Sequence, residues 1–367
     1  MNRIALVMIV RDEARSLERC LVSALPWVDE MIVLDTGSVD ATPSIARRVG
    51  ARVAQFTWCH DFAAARNAAL ALTDAPWRLV LDADEWITHG GASLGSLRSQ
   101  DAAFVGQVNV ASQFDRAEGG TGHAPSWLPR LLPAGVRYSG RIHEQPEPGL
   151  PRRRLPLVVA HDGYLDAHKA AKAGRNEALL RLALAEEPED AYLHYQLGKD
   201  LELRGCYAAA ELLYQRALAA VHDAAAWRHD LVLRSLFTLK KLGRFEAALA
   251  LAEAERPRWA GSPDFFFTLG DVLLDTAVAA PARAGELLPA VEASWLRALE
   301  IGEQPQLHDT VRGRGSWLAA HNLGVLHAGL GHTLQATHWR ERAAVMQRES
   351  EVFPDTGWGT APGLFAP

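Results

Sequence analysis

Asp82 and Asp84 flank Ala83 in the stretch RLVLDADEW, residues 78 to 86, immediately after an apolar run. Two hard carboxylate oxygens separated by one small residue can meet a single hydrated divalent cation while Ala83 points back into a core. Such a cation could bridge a diphosphate and neutralise the charge that develops when a pyrophosphate-linked group departs. Solvation of an acidic loop end is the competing reading, and Glu85 is expected to be outer-shell or solvated.

These carboxylates need a scaffold, and the flanking sequence describes one. Before residue 165, the apolar runs IALVMIV, EMIVLD, ARVAQF and WRLVLD alternate with helical segments over roughly 13 to 25, 40 to 49 and 61 to 72. Runs apolar on both faces, joined by helix-length connections, predict an α/β fold with a mostly parallel sheet covered on both sides. Ligands of such sheets sit at the carboxyl ends of the strands. Asp12, Asp35, Asp82 and Asp84 each follow an apolar run, so the sheet should gather them on one edge. Residues 103 to 165 read as the second half of the same domain, with strand-like AAFVGQVNV and LPLVVAH.

Beyond residue 165, Ala, Leu, Glu and Arg dominate and strand signals vanish. Leu197, Gly198, Leu201, Gly205, Ala210, Tyr214 and Ala217 fit the tetratricopeptide template in phase, and Leu323, Gly324, Gly331, Ala336 and Ala343 repeat it. Looser copies run around Leu236 to Ala248 and from FTLGDVLL. The expected domains are 1–165, 166–350 and a tail, 351–367. Phe265, Phe266 and Phe267 should pack between repeats.

Composition narrows the class. A formal charge of -6 without a long basic run gives no sign of nucleic-acid binding. Arg152, Arg153 and Arg154 form the only basic triplet, expected to be a solvated loop. Three cysteines without metal-like spacing fit a reducing compartment, and no apolar run is long enough to span a bilayer, so a cytoplasmic location is expected. HEQPE lacks the second histidine of a zinc-protease helix, and there is no Gly-rich phosphate loop of the G-x-x-x-x-G-K type.

The stretch ALVMIVRDEARSLERCLVSALPWVDEMIVLDTGSVDATPSIARRVGARVAQFTWCHDFAAARNAAL, followed by LVLDADEW, resembles the start of glycosyltransferase family 2 enzymes of GT-A fold. Its LDTGS, WCHDFAAARN and LDADE occur in the order of one branch of that family. PRLLPAGVRYSGRIHEQ and HDGYLDAHKAAKAGRN resemble that branch's later signatures, and several members carry tetratricopeptide-like helices afterwards.

The resemblance implies roles. Asp35 would accept a hydrogen bond from the nucleotide base, Arg66 and Asn67 would approach the diphosphate or base, and Val10, Asp12, Glu13, Ala83 and Arg130 would join the donor contacts. Asp82 would face ribose and metal, Asp84 would be the direct ligand of Mn²⁺ or Mg²⁺, and His161 would complete the shell. A buried histidine bonded to a backbone carbonyl is the alternative for His161. Inversion needs a base in line with the departing nucleotide. Glu144 in RIHEQ is that candidate, with His143 as rival and a loop salt bridge as the plainer role for Glu144. Trp127 is expected to pack in the core, or with Arg130 to line the acceptor. The expected partners are a UDP-sugar donor and a peptide or protein acceptor, with a cell-surface saccharide as alternative acceptor and a homodimer among the assemblies. The reading from a different class is a non-catalytic repeat scaffold.

Overall fold

The computed structural model describes residues 1–115, 121–147, 149–162, 166–307 and 309–352. The chain forms two compact units, Met1–Glu186 and Glu187–Pro367. The sequence places the boundary at residue 165, whereas the first unit also takes in the long helix that follows. From residue 353 the expected tail lies outside the described residues.

In chain order the first unit holds β1 (Ile4–Val10), α1 (Leu17–Ala24), β2 (Glu30–Asp35), α2 (Thr42–Val49), β3 (Arg52–Gln55), α3 (Phe62–Leu70) and β4 (Trp77–Val80). Then follow β5 (Glu85–His89), α4 (Leu94–Leu97), β6 (Val105–Asp115), β7 (Thr121–Pro133), β8 (Tyr138–Ser139), β9 (Gln145–Pro146), β10 (Arg152–His161) and α5 (Asp166–Glu186). Eight strands make one sheet in the order β3-β2-β1-β4-β7-β6-β10-β5. The β3-β2-β1-β4 half is parallel; β7 runs antiparallel to both neighbours, and β5 is antiparallel to β10.

Strand β1 shows why the sheet is buried on both sides. Ile4, Leu6 and Met8 join one apolar cluster with Leu17, Cys20 and Leu21 of α1, while Ala5 and Val7 join another with Ala69 and Leu70 of α3. Alternate side chains point to opposite faces, so a continuous apolar run serves two helical layers at once. Asp61 starts α3 by accepting a hydrogen bond from the Ala64 amide at 2.8 Å, a cap that fixes where this helix begins.

The expected solvated loop at Arg152–Arg154 is instead the start of strand β10. The guanidinium of Arg153 stacks over Phe104 and that of Arg154 over Trp127, at 4.5 and 4.8 Å from the ring centroids. Their long stems cover apolar surface while the charged ends stay near water. Trp127 is accordingly half-buried beneath an arginine, not a plain core residue.

The second unit is helical throughout its described residues: α6 (Ala191–Leu203), α7 (Tyr207–Ala220), α8 (Arg228–Lys241), α9 (Phe245–Glu255), α10 (Pro263–Ala279), α11 (Ala284–Ile301), α12 (Trp317–Gly329) and α13 (Thr333–Val352). They pair in the tetratricopeptide-like manner, small residue against large ring. A Cβ on Gly198 would lie 2.5 Å from the Tyr214 ring, and one on Gly270 would lie 2.4 Å from the Trp295 indole. Both rings are fully buried, so these glycines are what let each pair close. Phe265 is buried in this core, with Phe266 and Phe267 packed against it. No single helix among the described residues is long and apolar enough to cross a membrane.

Candidate active site

The carboxyl ends of β1, β2 and β4 bring Asp12, Asp35 and the 82–85 turn to one edge of the sheet. Asp35 ends β2, is buried, and accepts the Ser38 amide at 3.1 Å. Asp12 sits in the left-handed region at φ 54°, where its carboxylate accepts the Val39 amide at 2.8 Å. The loop after β1 is thus stitched to the loop after β2. Glu13 adds to this seam, donating its amide to Thr42 Oγ1 at 2.7 Å and accepting Ser16 Oγ at 2.8 Å. The carbonyl of Val10 is taken by the amide and hydroxyl of Thr36.

At the end of β4 the acidic stretch meets two buried arginines. Arg66 of α3 donates from Nη2 to Asp82 Oδ1 at 2.8 Å and from Nε to Glu144. Arg130 of β7 bridges Asp82 Oδ2 at 2.7 Å and Glu85 Oε1 at 2.5 Å. Burial works against the charge on Asp82, but Arg130 and Arg66 outweigh it and hold the carboxyl far below its usual range. Burial likewise opposes the charge on both arginines, and their carboxylate partners keep the pKa of each above the ordinary value. Burial lifts Glu85 above the ordinary carboxylate range and Asp82 adds to the rise, against the pull of Arg130. Glu85 also accepts the Asp82 amide at 3.0 Å. Of the two roles expected for Glu85, solvation is corrected: it is 2% exposed and braces the turn.

Two residues after Asp82, Asp84 Oδ2 lies 3.5 Å from Nε2 of His161, which ends β10. The other ring nitrogen of His161 is 3.0 Å from Ser112 Oγ, so side chains on both ring nitrogens help to orient the imidazole. Burial is the largest influence on His161 and lowers its pKa, but the bond to Asp84 and the charges of Asp84, Glu85 and Asp82 together outweigh it, and the net shift is upward. Ala83 is buried between the two aspartates. Next to His161, Asp162 receives Arg15 at 3.1 Å and Arg19 at 2.7 Å, and Arg19 stacks 3.5 Å over the Trp86 ring. Burial raises the Asp162 pKa less than the two arginines lower it, leaving it at about 2. Sequence reading did not find this brace, although its basic pair has helical i, i+4 spacing.

Two expected residues have other engagements. Asn67 donates to the Tyr138 carbonyl at 2.9 Å and accepts the Tyr138 amide at 2.8 Å. Both polar ends of its amide bond to the backbone of β8. Glu144 is held by Arg66, with its side chain 11% exposed. His143 beside it is at φ 53°, outside the regions most residues favour.

Does this arrangement suit a divalent cation and a diphosphate? Four carboxylates, Asp82, Asp84, Glu85 and Glu144, face two guanidiniums and one imidazole. The excess is negative on the Asp84 side, where an oxygen and an imidazole nitrogen form a donor pair acceptable to Mn²⁺. Among the described residues no three His, Cys, Asp or Glu side chains converge on one point. Asp82 is the absent third because Arg66 and Arg130 occupy its oxygens. The residues therefore fit a cation that draws its remaining ligands from water and substrate. Arg66 Nη1 and Arg130 Nε are buried without a hydrogen-bond partner. A buried N–H left unmade is costly, and anionic oxygens are suited to satisfy such donors.

Residues 5–118 match the family model described as "Glycosyl transferase family 2". A "TPR repeat-containing protein" of Synechococcus elongatus is 36% identical over 266 residues, covering 68% of this chain and 64% of that protein. The "SPbeta prophage-derived glycosyltransferase SunS" of Bacillus subtilis is 28% identical over 206 residues, 53% of this chain and 48% of its own length. "Succinoglycan biosynthesis protein ExoU" of Rhizobium meliloti is 27% identical over 272 residues, 65% of this chain and 77% of that one. The chain thus spans less than two thirds of the first two relatives.

Proposed function

We propose, from the premise that the N-terminal unit carries a family 2 glycosyl transferase domain, that the chain moves a sugar from a UDP-sugar to a peptide or protein acceptor, with inversion. The observation that carries this reading is the pair of buried, incompletely bonded guanidiniums beside Asp84 and His161. That site offers N–H donors to a diphosphate on Arg66 and Arg130, and a donor pair to a cation on Asp84 and His161.

Asp84 and His161 would hold Mn²⁺ or Mg²⁺. When bound, the ion supplies charge neutralisation for the diphosphate as the nucleotide leaves. Arg66 and Arg130 orient the diphosphate, and Asp82, between them, is placed to face the ribose once the donor takes up part of their bonding. Asp35 is placed to meet the base at the end of β2, and Asp12 and Glu13 hold the adjoining loop. Arriving phosphate oxygens that compete for Arg66 would loosen its hold on Glu144. Glu144 then becomes available to take the acceptor proton, and His143 stands next to it as the rival base.

Two features bear on the acceptor. Tetratricopeptide-like helices offer a face for an extended chain, which supports a peptide or protein. The likeness to a succinoglycan biosynthesis protein favours the second reading, a saccharide acceptor. UDP-sugar hydrolysis measured with and without Mn²⁺ tests the donor half. Asp84→Ala is expected to lower the Mn²⁺-stimulated rate by about 10–100-fold; a rate equal to the parent's sinks the metal assignment. Transfer to a peptide panel against an oligosaccharide panel separates the acceptor readings.

A further inference from the structure

In the helical unit the first helices of successive pairs line up through polar contacts. Tyr195 of α6 donates to Asp230 of α8 at 2.5 Å, Lys240 of α8 pairs with Asp275 of α10 at 3.3 Å, and Asn322 of α12 donates to Asp271 of α10 at 3.3 Å. The connection between α11 and α12 does not leave this face. Asp309 reaches Lys199 of α6 at 3.3 Å, across 110 residues of sequence. Asp264 of α10 is 1% exposed, and its Oδ1 accepts both the Val311 amide at 2.9 Å and Arg314 Nη1 at 3.1 Å. The Arg314 guanidinium also stands 5.4 Å over the Phe267 ring. Asp309 is at φ 51°, a conformation such a residue keeps only where its surroundings hold it.

The ends of this connection touch. A Cβ on Gly315 would lie 2.5 Å from the Gly302 carbonyl carbon, so the described residues 303–307 and 309–314 belong to a connection closed at its neck, of the kind that packs on a surface. Glu303 staples the neck by accepting the Gly313 amide at 2.9 Å and Ser316 Oγ at 2.6 Å. A short connector could join Gly302 to Gly315 without this loop, yet the chain spends its length crossing from α6 to α10. What the helices supply there is a lysine, a buried carboxylate and an aromatic ring, and the loop answers each.

We propose that this connection, through its described residues 303–307 and 309–314, is a built-in ligand of the helical unit. They occupy a site for an extended peptide segment bearing an acidic residue and, five positions later, an arginine, as Asp309 and Arg314 are spaced. The loop keeps that site shut until such a segment displaces it. The inference rests on the acceptor reading above for what the segment is, and its test is read without any donor.

The probe is a fluorescein-labelled peptide of residues 303–315, EQPQLHDTVRGRG. It is titrated into the full chain and into a full-length variant whose residues 304–314 are replaced by Gly-Ser-Gly. The excised variant is expected to bind at least about tenfold more tightly than the parent, and a peptide with Asn for its aspartate is expected to bind it at least about fivefold more weakly. An excised variant with parental circular dichroism that binds no better than the parent, or that accepts the Asn peptide equally, overturns the proposal. If excision prevents folding, trypsin decides on the Lys199→Met and Asp309→Asn chains. Cleavage after Arg312 and Arg314 no faster than in the parent also overturns it. Peptide binding without sugar transfer to any segment of this pattern would count against the acceptor reading and leave the built-in ligand standing.

Discussion

Arg130 carries more of the candidate site than its position in β7 suggests. Its Nη2 alone joins Asp82 and Glu85, and Glu85 is buried to 2%. Removing one partner of a buried ion pair leaves an uncompensated charge and costs more than the pair contributes. Arg130→Met, which keeps the bulk and deletes the charge, is expected to destabilise the N-terminal unit by about 3 kcal/mol. Urea unfolding with an unchanged m-value measures this, and a loss below about 1 kcal/mol would mean the cluster is held by other bonds. How much of this cluster the sequence disclosed follows from distance along the chain. Asp35, Asp82 and Asp84 could be placed because each directly follows an apolar run that must be a strand. The clasp of Arg130 on Asp82 spans 48 residues and depends on β7 entering the sheet antiparallel beside β4, which no local pattern specifies. The bonds of Asn67 were hidden for the same reason. Its partner, the Tyr138 backbone, is 71 residues away, so the amide's role was invisible until β8 had a position.

Helix α10 shows how packing sets chemistry at the scale of an element. Gly270 admits the Trp295 indole of α11 against the helix backbone, and Trp295 Nε1 donates to the Phe267 carbonyl at 3.2 Å. The neighbouring Asp271 is partly buried. Burial raises its pKa to about 6, against the pull of Lys240 and Arg314. The folded chain therefore holds a proton on Asp271 that the unfolded chain releases at the ordinary value of 3.8. Stability from this group is full below about pH 4 and is lost as pH rises through about 6. The gap is worth up to roughly 3 kcal/mol. Asp271→Asn keeps an acceptor for Asn322 and removes the titration, so it is expected to flatten the fall in helical-unit stability between pH 4 and 6. Denaturant midpoints at those two pH values measure it, and an unchanged slope would assign the pH dependence to other groups. The start of this pair was legible in the sequence as a looser repeat copy from FTLGDVLL, while the raised carboxyl was not. Gly270 announces a close approach but does not say which polar neighbour is enclosed with it.

The clusters around β1 lie wholly within Met1–Glu186, and the cluster around Trp295 lies wholly within Glu187–Pro367. A chain with separate cores unfolds in separable steps, so heating is expected to give two calorimetric transitions. The proposed donor site draws all its residues, Asp35, Arg66, Asp82, Asp84, Arg130, Glu144 and His161, from the first unit. A ligand that binds only the folded form of one unit stabilises that unit alone. UDP with Mn²⁺ at a hundredfold excess over its Kd contributes about 2.7 kcal/mol, which for a unit of this size moves the transition by roughly 5–10 °C. The transition that moves should be the one lowered by Arg130→Met, and the one whose pH dependence Asp271→Asn flattens should stay within about 1 °C. If UDP with Mn²⁺ raised both transitions together, the donor would be engaging residues of both units, and the assignment of donor recognition to the sheet edge alone would be wrong.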